Sequence, residues 1–128
     1  MDDLTGCEHC FPPSAEAAWA ARGRLQLVAD LVDDSHYHVM VLACRACGQG
    51  FVSVFTETID WQDGDDSQCW QLLPIGAGES DALVRSGPSV TEAMLNALPG
   101  RRCLCLDHPK GAEQRMYWSK GLHVGFHD

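Results

Sequence analysis

What this chain lacks narrows its possibilities first. It has no long apolar run: the longest, residues 39–44, is far short of the roughly 20 residues that a membrane-spanning helix needs. It is also short of positive charge, with 9 Lys and Arg against 18 Asp and Glu in 128 residues. An acidic surface repels phosphate backbones, so nucleic acid is disfavoured as a partner. The opening stretch MDDLTGCEHC is acidic where a secretory leader is basic, and it lacks an apolar segment. A cytoplasmic location is the expectation. There is no Gly-rich phosphate loop, no G-x-S-x-G elbow and no H-E-x-x-H pair. Serine, histidine and aspartate occur in no order that points to a triad, and no internal repeat is visible.

The rest of the composition is that of an ordinary soluble chain, 45% apolar and 21% charged, and its length is most economically one domain, residues 1–128. Charge is uneven. Residues 1–100 hold 4 basic and 15 acidic side chains, whereas residues 101–128 hold 5 basic and 3 acidic. The simplest role for the basic tail is to offset the acidic body.

Seven cysteines are present, an odd number. In a reducing compartment, clustered cysteines point to metal or redox chemistry rather than to disulfides. Four of them form two C-x-x-C pairs, Cys7/Cys10 and Cys44/Cys47, with 33 residues between the pairs. Two intervening residues let the chain turn tightly, so that both sulfurs face one ion. Two such knuckles complete the closed tetrahedron of a structural zinc site. Gly48 follows the second pair and can take the positive φ that such a turn needs. Phe11 follows the first pair, which lacks that glycine. Two other readings of the pairs stand beside this one. A thioredoxin-type couple wants its C-x-x-C at a helix N-terminus, but Cys44 and Cys47 lie between two strand-like runs. Free cysteines also pack as small apolar side chains. His9, inside the first knuckle, reads as a solvated side chain.

Around these pairs the pattern alternates between helix and strand signals. Pro12 and Pro13 precede Ser14, a good N-cap, and Ala-rich sequence with Glu16 in the first turn predicts a helix over 14–22. Residues 24–32 fit either a continued helix or a strand. Residues 36–43 and 49–60 read as antiparallel partners joined by CRACG. An Asp63-Gly64 turn then leads to a third strand over 69–75. GAGES reads as loop. Ser89 and Glu92 resemble a capping box, and Met94, Leu95 and Leu98 make an apolar stripe, which predicts a helix over 89–98. Short strands are expected within 102–106 and 116–126.

CRACGQGF between two strand-like runs, with a separate C-x-x-C upstream, resembles the zinc-ribbon family. The resemblance covers residues 7–75 at most. It implies a three-stranded antiparallel sheet in an α+β fold, and one structural zinc held by Cys7, Cys10, Cys44 and Cys47. The helical insert at 14–32 is longer than a minimal ribbon needs, and residues 76–128, a helix plus C-terminal strands, lie outside the resemblance.

Weaker groupings remain. Cys103, Cys105, His108, His123 and His127 could form a second metal site, although Cys103 and Cys105 alternate as core residues on a strand do. Cys69 reads as core. Glu57, Asp60, Asp63, Asp65 and Asp66 form an acidic turn that could bind a hard cation or dock a basic partner, without matching an EF-hand loop. Four tryptophans, Trp19, Trp61, Trp70 and Trp118, are many for this length, and Trp61 beside the acidic turn suits a partner contact. His36 and His38 share a strand face as rim or core residues. The expected function is a zinc-stabilised module that binds another protein, with no catalytic residue. The alternatives are a redox or metal-dependent enzyme and a nucleic-acid-binding ribbon.

Overall fold

A computed structural model describes residues 6–58, 61, 62, 64, 66–109, 111 and 113–125. Six strands form one antiparallel sheet in the order β1-β2-β3-β4-β5-β6. They are β1 (Gln26–Asp34), β2 (Tyr37–Ala43), β3 (Gly50–Thr58), β4 (Ser67–Ile75), β5 (Arg102–His108) and β6 (Arg115–Lys120). Three helices accompany them: α1 (Ala15–Arg22), α2 (Ala77–Ser86) and α3 (Glu92–Asn96). Among the described residues, no helix is long and apolar enough to cross a membrane.

The expected three-stranded ribbon is therefore corrected to a sheet of twice that width, although sheet plus helices remains broadly α+β. The ambiguous segment 24–32 becomes the edge strand β1. On the other side, β5 adds to the free edge of β4, placing Gln71 opposite Cys105 and Leu72 opposite Leu104. Pro74 has no N–H to give a ladder. It lies beyond the last paired position of β4 with β5, and its carbonyl accepts from Arg101 Nη1 at 2.9 Å.

Alternation divides the core between the two sheet faces. One face carries Val39, Val41, Val52, Val54, Leu73, Ile75, Cys103 and Cys105, packed with Leu83 of α2, Leu95 of α3, Leu122 and Val124. The other carries Leu42, Phe51, Leu72 and Leu104, packed with Cys10, Phe11, Ala15 and Ala18.

Helix α1 begins as expected, with Ser14 Oγ accepting from the Ala17 N–H. Two other expectations are corrected. GAGES opens α2, whose Gly76 N–H donates to Glu79 Oε1 at 2.7 Å. Ser89 lies in a 3₁₀ turn, and the N-cap of α3 is Thr91, whose Oγ1 accepts from the Met94 N–H. Strand β6 ends at Lys120, short of the expected 126. Residues 121–125 instead return across the first face, where the side-chain amide of Gln71 bonds both the N–H and the carbonyl of His123, and that of Asn96 both those of Val124.

Candidate metal centre

The second knuckle is a product of the β2–β3 hairpin. Ala43 pairs with Gly50, and the chain between them turns through Cys44 to Gln49. The Cys44 N–H donates to the Gln49 carbonyl and the Gly48 N–H to the Cys44 carbonyl, both at 2.9 Å. Gly48 takes φ +79°, as the sequence implied. The Ala46 N–H points back at Cys44 Sγ, 3.3 Å away.

The first knuckle repeats the turn outside any strand. The N–H groups of Cys10 and Phe11 both donate to the Cys7 carbonyl, and the Cys7 N–H lies 3.2 Å from Cys10 Sγ. Its glycine precedes the pair: Gly6 has φ +68°. A Cβ there would lie 2.7 Å from Cys10 Sγ, so this position also needs glycine for space.

Aromatic packing fixes the first knuckle on the sheet. The Phe11 ring lies 5.2 Å from that of Phe51 and 5.0 Å from that of Trp118. The Arg102 guanidinium stacks over Trp118 at 4.0 Å and over Phe11 at 4.6 Å, and its Nη2 donates to the Phe11 carbonyl at 2.9 Å. Trp118 Nε1 donates to the Pro13 carbonyl.

The two knuckles meet. All four sulfurs of Cys7, Cys10, Cys44 and Cys47 lie within 4.8 Å of one another. Cys7 Sγ is 3.7 Å from Cys10 Sγ and 3.8 Å from Cys44 Sγ, and Cys10 Sγ is 3.8 Å from Cys47 Sγ. These separations far exceed a disulfide bond of about 2.05 Å, and all seven cysteines are free. Cys10 and Cys44 are buried, whereas Cys47 is exposed. The N–H of His9 is the chief cause that draws the Cys7 thiol down to about 6, while burial pushes the Cys10 thiol up. Arg24, Arg45 and His9 line a cavity of about 220 Å³ beside Cys10 and Cys44. The four thiols can hold a metal ion.

The remaining candidates separate. Cys103 and Cys105 are core residues, and Cys105 Sγ meets Ser119 Oγ at 3.2 Å. His123 is exposed, with Nε2 on the Lys120 carbonyl, and His108 sits at the end of β5. No metal-type grouping among the described residues contains any of these four, and His127 lies outside the described residues. Cys69 is half-buried opposite Asp107. In the acidic turn, Glu57 accepts from Gln68 and meets His36 Nδ1 at 2.9 Å. Asp60, Asp63 and Asp65 lie outside the described residues. Trp19, Trp70 and Trp118 pack against other side chains, whereas Trp61 is 87% exposed. His9 is solvated, as expected, with the exposed Glu8 3.8 Å from its Nε2.

Sequence reasoning missed Gly6, Arg102 and a group formed by Asp30, Asp33 and His38. Nothing local marked any of them: Arg102 has no Phe, Trp or Tyr within ten positions in the chain. No family model, curated protein or solved structure matches this chain.

Proposed function

We infer that the centre holds one structural zinc ion and that the protein is a zinc-stabilised interaction module of the cytoplasm. The spacing of the four sulfurs carries this reading. A tetrahedron with zinc–sulfur bonds of about 2.3 Å has edges of about 3.8 Å. The separations of 3.7–3.8 Å fit those edges. Soft thiolate donors favour zinc over magnesium or calcium. Four thiolates fill the coordination shell, so the ion fastens the fold and leaves no open position for a substrate. Seven unpaired cysteines suit a reducing compartment.

A protein partner is supported by Trp61, a large ring in water beside an acidic turn. Exposed tryptophan is a common anchor of interfaces, and the acidic turn would favour a basic partner.

Metal analysis of the purified chain tests the zinc. One zinc per chain that survives gel filtration, and is lost in Cys44→Ser, supports the reading. A chain that never takes zinc overturns it. Trp61→Ala tests the interaction: partner capture should fall while zinc content and melting temperature stay unchanged.

A further inference from the structure

At the opposite end of β2 from Cys44, a second set of donors converges. Asp30 and Asp33 of β1 and His38 of β2 place two carboxylate oxygens and one imidazole nitrogen within 4.8 Å of one another. His38 Nε2 is 3.0 Å from Asp30 Oδ1, and Asp33 is the direct cross-strand neighbour of His38.

The backbone makes this possible by breaking its own rule. Residues three apart on a regular strand point to opposite faces. Here the β1–β2 register slips between Asp30 and Val32, so that Asp30 pairs with Met40 and Asp33 with His38. Met40 and His38 share a face, and the slip brings both carboxylates onto it. That face is the one covered by α1 further along the sheet, and its β1 corner is open: Asp30 and Asp33 are exposed and His38 half-exposed.

Charge favours a cation there. Two carboxylates lie close together, and among the described residues an imidazole is their one partner. Arg22, on the same face, is engaged elsewhere: it donates to Ser53, opposite Met40 on the next strand, and lies over Trp19. Among the described residues, Arg22 forms no ion pair.

We propose that Asp30, Asp33 and His38 form a second metal site that takes a first-row divalent ion through two carboxylate oxygens and one imidazole nitrogen. The mixed donor set selects the class of ion. Calcium and magnesium prefer oxygen alone, whereas imidazole suits zinc, iron and nickel, and carboxylate suits manganese. Three protein donors on an open corner leave positions for water or a small ligand. The site is independent of the thiol centre. Six residues of strand separate His38 from Cys44, roughly 20 Å at 3.3 Å per residue.

The test is a titration of the full zinc-loaded chain with MnCl₂, which is too hard an ion to displace zinc from thiolates. Bound manganese is counted by electron paramagnetic resonance and located by line broadening in the amide spectrum. One saturable manganese per chain is expected, with the strongest broadening at residues 30, 33 and 38 and unchanged zinc content. Asp33→Asn and His38→Ala should each weaken binding by about tenfold or more. Both side chains are at the surface, so the melting temperature should hold and the loss can be read as a loss of ligands. Absence of saturable binding up to about 1 mM manganese would overturn the proposal. So would binding that the two variants leave intact, or broadening centred on the acidic turn at 57–66. None of these outcomes bears on the zinc.

Discussion

Removing the metal should lower stability by an amount set by the loop it closes. An ion held there would tie the knuckle at Cys7 and Cys10 to the knuckle at Cys44 and Cys47, and Cys7 and Cys44 are 37 residues apart. Treated as a cross-link, closing a loop of that size removes unfolded-chain entropy worth about 4 kcal/mol at 25 °C. Unfolding entropy of about 2.1 cal/mol/K per residue, over this length, converts 4 kcal/mol to about 15 °C of melting temperature. The core on the opposite sheet face, from Val39 to Val54 and Leu73 to Cys105, makes no use of the ion. The metal-free chain should therefore keep its strand signal at 25 °C and melt about 15 °C lower. Paired melts with and without a zinc chelator, and of Cys44→Ser, measure this by circular dichroism. A shift under about 3 °C would refute the cross-link reasoning and assign the knuckle's docking to aromatic packing alone.

Four further outcomes follow from the structure. Arg102→Lys keeps the charge but not the flat stacking surface or the fork that reaches the Phe11 carbonyl, so it should cost about 2 kcal/mol in chemical denaturation and speed zinc loss to a chelator. Gly48→Ala meets nothing within 4 Å and pays only for its positive φ, about 1 kcal/mol, with zinc retained. Gly6→Ala adds a collision with Cys10 Sγ and should lower zinc affinity as well, which competition with a coloured chelator will show. Burial raises the pKa of both tyrosines, reinforced at Tyr37 by Glu92 and at Tyr117 by Asp107, a carboxylate that accepts from the phenol at 2.5 Å. Because the folded values lie above the unfolded one, the stabilisation is full below about pH 10 and lost as pH rises through the folded values. Absorbance at 295 nm should therefore show less than half of either phenol ionised at about pH 10 in the folded chain.

The parts legible in the sequence were those that local chemistry decides. Strand, C-x-x-C, glycine and strand are adjacent in the chain, so the hairpin carrying Cys44 and Cys47 could be read directly. Ser14 and the alanines after it wrote α1 in the same way. Helix α2 could not be read: two glycines weaken its first turn, it buries only Leu83, and its cap uses a backbone N–H with Glu79 rather than a capping side chain on residue 76. The width of the sheet was hidden for another reason. The pairing of Gln71 with Cys105 spans a long insertion that itself folds, and no periodicity records which distant strand will occupy a free edge. Segment 24–32 was legible as either helix or strand, but the two register slips of β1, which gather Asp30, Asp33 and His38, left no mark in the sequence.

The face that carries the thiols shows what a metal ion would add to the fold. Helix α1 is only eight residues long and buries three alanines, Ala15, Ala18 and Ala21. Alanine offers one methyl group for burial, so apart from Trp19, whose ring lies 5.9 Å from that of Trp70, and Arg22, which donates to Ser53, this helix has little with which to hold itself on the sheet. An isolated helix of that length is also marginal in water. Much of its hold therefore falls to its N-terminal anchor: Phe11, the Arg102 stack and any ion that fixes Cys7 and Cys10 beside Cys44 and Cys47. Removal of the ion should accordingly loosen residues 6–22 before the sheet. Hydrogen exchange on the chelated protein at 25 °C should speed up at the amides of Ala18 and Ala21 while those of Val41 and Val52 stay protected. Equal acceleration at all four would mean that the ion supports the whole sheet, and that α1 is an integral layer of the fold rather than a segment pinned by its thiols.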